Sequence, residues 1–361
     1  MRFDTGLNRR SLIASSLALA ACDASPAISP GPTEVAPLKS LVPFPVGTCA
    51  QTRQFDDPRW VHLLTTHFSQ TTAEWEFQTE AILDPYGNYD FTRPDALAQR
   101  ASDLGLRLYG TSLVWHVQES VAMRSLAPDE FRAAFDRWVH TMTTRYRGKV
   151  AGWDVVNEPI MNDGSGQMRQ SLFADRLGLE DYIPYAFEHA KAGDPDAVLF
   201  INEYNLENWP AKRAAFLRVI EQALSRGAPI DGIGTQSHLD IEIPGGQITD
   251  MMRELAEFGL PIHVSELDAS RRSDRRIDLR SPQEKLNQQT ARVQELAEAY
   301  AALPAYQQFA FTVWGIRDTD SWLRRGDKDD GEDSPLLFDA EGRANPMYQA
   351  VVDGWRGAAG A

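Results

Sequence analysis

The sequence predicts a single α/β domain folded as a closed (β/α)8, or TIM, barrel, and three observations predict it. Short runs rich in β-branched and aromatic residues alternate with longer stretches of helical periodicity, as in βα units repeated around a parallel sheet. Eight such runs occur, at 46–50, 66–72, 107–114, 150–156, 198–204, 232–237, 262–267 and 309–314. They extend over about 310 residues, a length that suits eight units in a closed barrel. An open doubly wound sheet fits less well, because no GxGxxG or GxxxxGK(S/T) phosphate loop occurs.

At the N-terminus, Arg9 and Arg10 precede an apolar run from Leu12 to Ala21 that ends at Cys22. Such a segment reads as an export signal, and the run is too short to span a bilayer. The paired arginines are similar to the twin-arginine export pattern, and Leu19-Ala20-Ala21-Cys22 resembles a bacterial lipobox. Over residues 1–22 this implies export, lipidation of Cys22 and anchoring to a membrane, facing the periplasm or the cell surface. Residues 23–42 hold prolines among small residues and read as an extended tether, so the barrel is expected over 43–356. Once Cys22 is acylated only Cys49 remains, which leaves no intrachain disulfide and puts stability on the core. Within the domain, Pro128-Asp129-Glu130 opens a helix over 131–146, and Ser281-Pro282-Gln283-Glu284 caps another over 285–301.

Hydrophobic residues make up 43% of the 361-residue chain, enough for a sizeable core. Asp and Glu number 51 against 36 Lys and Arg, a formal net charge of -15. Nucleic acid and anionic bilayers are repelled by such a charge, whereas a neutral polysaccharide is not. The 7 histidines form no HExxH or close strand-end pair, so no metal is expected, and no motif implies an organic cofactor. A monomer is expected.

In a (β/α)8 barrel the reactive residues sit where the strands end on their C-terminal side. Trp153-Asp154-Val155-Val156-Asn157-Glu158-Pro159 ends the fourth run, and Ile262-His263-Val264-Ser265-Glu266-Leu267-Asp268 ends the seventh. A lone glutamate there reads as a solvated or salt-bridged residue. A pair supplies what glycosidic bond cleavage requires: one acid to protonate the leaving oxygen, and one carboxylate to support positive charge at the anomeric carbon. Glu158 and Glu266 are therefore the candidate catalytic pair.

These stretches, with Leu113-Val114-Trp115-His116, Ile201-Asn202-Glu203-Tyr204-Asn205, Gly232-Ile233-Gly234-Thr235-Gln236-Ser237-His238, Phe311-Thr312-Val313-Trp314-Gly315 and Pro335-Leu336-Leu337-Phe338-Asp339, resemble glycoside hydrolase family 10, the endo-β-1,4-xylanases. The resemblance covers nearly the whole domain. It implies a retaining enzyme that hydrolyses β-1,4-xylosidic bonds of xylan or xylo-oligosaccharides, with Glu158 as acid/base and Glu266 as nucleophile. It further implies that Asn157 bonds the sugar 2-hydroxyl, that His238 orients the nucleophile, and that Glu74 and Gln236 contact sugar. A neutral His238 imidazole donating to Glu266 would favour its carboxylate form. Trp115, Trp314 and Trp322 are implied to line the cleft and stack on pyranose faces.

The chain departs from the family after the second strand, where Glu-Asn-x-Met-Lys is replaced by Glu74-Trp75-Glu76-Phe77-Gln78. Gln78 takes the place of the sugar-binding lysine, and Thr111 stands where the family has a histidine after Gly110. Fewer strong donors on the glycone side imply a preference for decorated, short or atypical substrates. Two other functions fit parts of the sequence: an exo-acting or other β-glycosidase, and a surface lipoprotein that binds saccharides without turnover. The intact carboxylate pair argues against the second.

Overall fold

The computed structural model describes residues 35–273, 277–329 and 331–359. The expected export signal, Cys22 and the first part of the tether lie outside the described residues. The strands are β1 (Val46–Ala50), β2 (Gln70–Ala73), β3 (Arg107–Trp115), β4 (Val150–Asn157), β5 (Val198–Glu203), β6 (Gly232–Thr235), β7 (His238–Asp240), β8 (Ile262–Ser270) and β9 (Gln308–Val313). All pairings among them are parallel; β1 pairs with both β2 and β9, and β6 pairs with β8, so that eight strands close into the predicted barrel. β7 is additional to the predicted runs and pairs with the C-terminal overhang of β8, with His238 opposite Asp268.

Helices pack outside the ring because each carries an apolar face. The helix Pro128–Arg145 buries Phe131, Phe135, Trp138, Val139 and Met142, whose spacing puts them on one side. Trp138 Nε1 donates to Leu113 O at 2.8 Å and fastens this helix to β3. The helix Pro282–Ala301 opens with the predicted cap: Ser281 Oγ accepts from Glu284 N, and the Glu284 carboxylate accepts from Ser281 N. Such a cap contributes about 1 kcal/mol.

The barrel interior is filled at its N-terminal end by aromatic rings. Tyr109 of β3 lies 4.5 Å from His263 of β8, and Phe200 of β5 lies 4.5 Å from Phe309 of β9, centroid to centroid. Burial holds the His263 pKa well below the ordinary value, so the ring is neutral, with Nε2 2.8 Å from Thr312 Oγ1. Polar side chains begin directly above this plug, where Tyr109 OH donates to Asp154 at 2.6 Å. They continue to the C-terminal mouth.

Two boundaries differ from the sequence reading. The second run, read at 66–72, becomes a strand only at Gln70, because Thr66 and His67 complete the helix Pro58–His67. Asp57 caps that helix by accepting from Arg59 N and Trp60 N, and Trp60, Leu64 and His67 form its buried face. Residues 35–42, read as the end of the tether, pack on the barrel. Leu38 is fully buried, its N–H donates to His67 Nδ1 at 3.4 Å, and Tyr348 OH donates to Ala36 O. A proline-rich composition conceals that one leucine has a place in the core.

Gly234 of β6 is a close-approach position: a Cβ there would lie 2.3 Å from Asn202 Oδ1. Gly234→Ala is expected to displace Asn202 and lower stability by about 1–3 kcal/mol in urea unfolding followed by tryptophan fluorescence. An unchanged midpoint would show that the neighbouring strand yields without cost.

Candidate active site

Glu158 follows the last residue of β4 with φ 57°, a left-handed conformation uncommon for a residue with a side chain. Asn205 and Ser237, just beyond β5 and β6, have φ 59° and 58°. Among the described residues these are the non-glycine positions with positive φ, and all lie at the C-terminal mouth. Each costs about 1–3 kcal/mol, which surrounding bonds must offset. For Glu158 they are Glu158 N donating to Asn202 O at 2.9 Å and Arg169 Nε donating to Glu158 O at 3.0 Å.

Side-chain amides join the two carboxyl groups. Gln236 Nε2 donates to Glu158 Oε1 at 3.1 Å and to Asn157 Oδ1 at 3.2 Å. Asn202 Nδ2 donates to Asn157 Oδ1 at 3.0 Å and to Glu266 Oε1 at 3.2 Å. Both hydrogens of each donor amide and both lone pairs of Asn157 Oδ1 are engaged, so a flipped amide would set oxygen against oxygen. Ser265 Oγ completes the set by donating to Asn202 Oδ1 at 2.9 Å. Ser265 and Glu266 are neighbours in sequence yet both reach Asn202, because β8 shifts register against β9 between Val264 and Leu267.

Burial raises the Glu266 pKa, the bond and charge of His238 oppose the rise, and the Glu158 charge adds to it. His238 Nε2 lies 3.4 Å from Glu266 Oε2, and its Nδ1 lies 3.0 Å from Asp268 Oδ2. Burial pulls the His238 pKa down, but the Asp268 and Glu266 carboxylates outweigh it and hold the value well above the ordinary one. The two carboxylates thus favour the charged form of the ring, where the sequence reading had a neutral donor. The cause is Asp268, placed by the pairing of β7 with β8 and held by Trp322 Nε1, which donates to its Oδ2 at 2.7 Å.

Beside Glu158, His116 Nδ1 is 3.8 Å from Oε2, and burial, with the charges of Arg169 and Lys212, lowers the His116 pKa to about 4. Behind it, Lys212 Nζ and Glu203 Oε1 form a buried ion pair at 2.8 Å. Burial raises both Glu203 and Glu207 to about 7, and neither Glu207 oxygen has a hydrogen-bond partner among the described residues.

A cleft of about 540 Å³ lies over the carboxyl pair. Glu74, Gln78, Trp115, Asn157, Gln236, His238, Trp314 and Trp322 all line it, so the structure brings together every sugar contact expected from sequence. Gln78, however, turns its amide toward protein: Nε2 donates to Thr111 O at 3.4 Å, and Oε1 accepts from Ser112 Oγ at 3.5 Å. Trp75 also lines the cleft, with the Arg93 guanidinium 5.1 Å above its ring.

Several site residues had no role in the sequence reading. Asn202, Ser265 and Asp268 lie inside the quoted motifs, where polar residues next to a strand-end glutamate were the available signal. Arg325 and Lys328 line the cleft from a charged loop to which the sequence reading gave no role. Arg325 Nη1 is 3.2 Å from Glu74 Oε1, and 251 residues separate the two in sequence, so no local pattern marks the pair. Among the described residues no cluster of His, Cys, Asp and Glu could hold a metal ion, and no helix is long and apolar enough to cross a membrane.

A parallel barrel with two amide-linked carboxyl groups at its mouth defines the class of glycoside hydrolases. Residues 39–354 match Glycosyl hydrolase family 10, and the chain belongs to that family. It is 32% identical to Endo-1,4-beta-xylanase A of Cellvibrio japonicus over 89% of this chain, and spans 56% of that protein. It spans 29% of Endo-1,4-beta-xylanase C of Paenibacillus barcinonensis, at 31% identity over 82% of this chain. The chain therefore covers about half or less of these larger relatives. Among solved structures, a thermostable mutant of a Cellvibrio japonicus xylanase matches with a TM-score of 0.81 and 31% identity, over 89% of this chain and 99% of that one.

Two measurements test the electrostatics. In Asp268→Asn, loss of the nearer carboxylate is expected to lower the pH at which the His238 ring titrates by NMR; an unmoved titration would assign the shift to Glu266. Glu207 is protonated in the native state up to about pH 7 but only to its ordinary 4.5 when unfolded. The native state then binds more protons, so this group makes stability fall as pH rises between those values. Glu207→Gln is expected to flatten that slope in thermal melts.

Proposed function

We propose that the chain is a retaining endo-β-1,4-xylanase acting on xylan or xylo-oligosaccharides by double displacement. The observation that carries this reading is the amide bridge from Glu158 through Gln236, Asn157 and Asn202 to Glu266. It holds two carboxyl groups in fixed relation across one cleft, as two-step glycoside cleavage requires.

In the first step Glu158 gives its proton to the glycosidic oxygen while the Glu266 carboxylate attacks the anomeric carbon. The aglycone departs as an alcohol and a glycosyl ester of Glu266 remains. In the second step Glu158, now ionised, takes a proton from water as that water attacks the same carbon and releases Glu266. Two inversions leave the β configuration. Asn202 and the His238 imidazolium stabilise the carboxylate that leaves in the second step. Asn157 Nδ2, whose nearest protein acceptor is Glu158 Oε1 at 3.5 Å, serves as donor to the 2-hydroxyl.

On the glycone side, Glu74 is engaged by Arg325 and Gln78 by the Thr111–Ser112 segment, which supports altered recognition rather than lost chemistry. Export and anchoring through Cys22 belong to the same proposal, since a polymeric substrate must be met outside the cell.

The test is a time course of products from linear xylan with wild type and Glu266→Gln. Mixed xylo-oligosaccharides are expected early, with a loss of at least about a thousandfold in the variant. Xylose alone would indicate exo action, and no product would favour the saccharide-binding reading. NMR of the first-formed anomer is expected to show β; α would overturn retention.

A further inference from the structure

We propose that Lys328 reads a carboxylate carried by the polysaccharide, so that the preferred substrate is a xylan bearing uronic acid groups. This inference rests on the xylanase reading above.

Lys328 Nζ lies 3.5 Å from the centroid of the Trp322 ring. Trp322 and Lys328 line both the cleft over the carboxyl pair and an adjoining cleft of about 520 Å³, so they stand where the two meet. Neighbouring cations of the same loop are matched: Arg324 pairs with Asp329 at 2.6 Å and Arg325 with Glu74 at 3.2 Å. Lys328 has no ion-pair partner within 4 Å among the described residues; its ammonium lies on the indole face, within reach of the Asp268 charge. The acids beneath it also face the His238 ring, which sits between Glu266 and Asp268. The loop therefore presents an ammonium without a direct ion-pair partner at the edge of the cleft, in a chain whose formal net charge is -15.

The ammonium occupies one face of the Trp322 ring in the cleft wall, and aromatic faces of this kind are where pyranose rings stack. A sugar that takes that face must displace the ammonium and forgo a cation–π contact equivalent to about two- to thirtyfold in affinity. A neutral chain offers the ammonium only hydroxyl groups in return. A substrate carboxylate offers it a counter-ion, so displacement from the ring and capture of the substituent occur together. A uronic acid side group is the form in which a xylose backbone carries such a charge. The discrimination lies between acidic and neutral versions of one polymer, which separates it from the Glu158 and Glu266 chemistry common to both.

The experiment compares kcat/KM on glucuronoxylan with that on the same polymer after reduction of its carboxyl groups, for wild type, Lys328→Met and Lys328→Arg. Wild type is expected to prefer the acidic form by about two- to fivefold, the range of an ion pair made by an exposed lysine. Lys328→Met should bring that ratio close to one, and Lys328→Arg should retain most of it, which controls for damage to the loop. Equal rates of wild type on both polymers, or a preference that survives in Lys328→Met, overturn the inference and leave the xylanase reading intact. Failure of wild type to cleave either polymer overturns both.

Discussion

The site depends on one shared acceptor. Asn157 Oδ1 takes hydrogen bonds from Gln236 and Asn202, and each donor spends its second hydrogen on a glutamate. Residues from β4, β5, β8 and the turn after β6 are thereby tied into one object. The backbone follows the same logic, since the left-handed Glu158 is held by the carbonyl of Asn202, the residue whose side chain holds Glu266. A single asparagine thus couples the positions of both carboxyl groups, and Gly234 leaves the space that it needs.

Much of this was legible in the sequence because strand periodicity and strand-end chemistry are local. The eight runs, the capped helix after Ser281 and the two glutamates each announce themselves within a few residues. What escaped depends on contact across the fold. The Arg325–Glu74 pair joins loops far apart in sequence, and the charge on His238 depends on Asp268, which only β7–β8 pairing brings alongside. Leu38 and His67 show the same limit at the edge of the domain. Composition marks one as tether and the other as strand, and their mutual packing makes them part of the core and of a helix.

Net charge and local charge diverge in this molecule. The chain is strongly acidic, but several acids at the mouth face a basic side chain: Glu74 faces Arg325, Glu203 faces Lys212, and Glu266 and Asp268 face His238. A substrate approaching the cleft meets paired charges with Lys328 at their edge, rather than the field that the composition suggests. Buried Glu207 and Asp154, each raised to about 7 by burial, carry less of the negative charge near neutrality than a count of acids assigns them.

β7 is three residues long and lies outside the closed ring. By pairing with the overhang of β8, it fixes the His238–Asp268 contact through the peptide backbone and not through the loop that follows. That loop, at 241–246, contributes Glu242, Ile243 and Pro244 to the wall of the adjoining cleft. Substitutions in that loop can therefore change the cleft wall while the strand pairing that holds His238 against Asp268 stays in place.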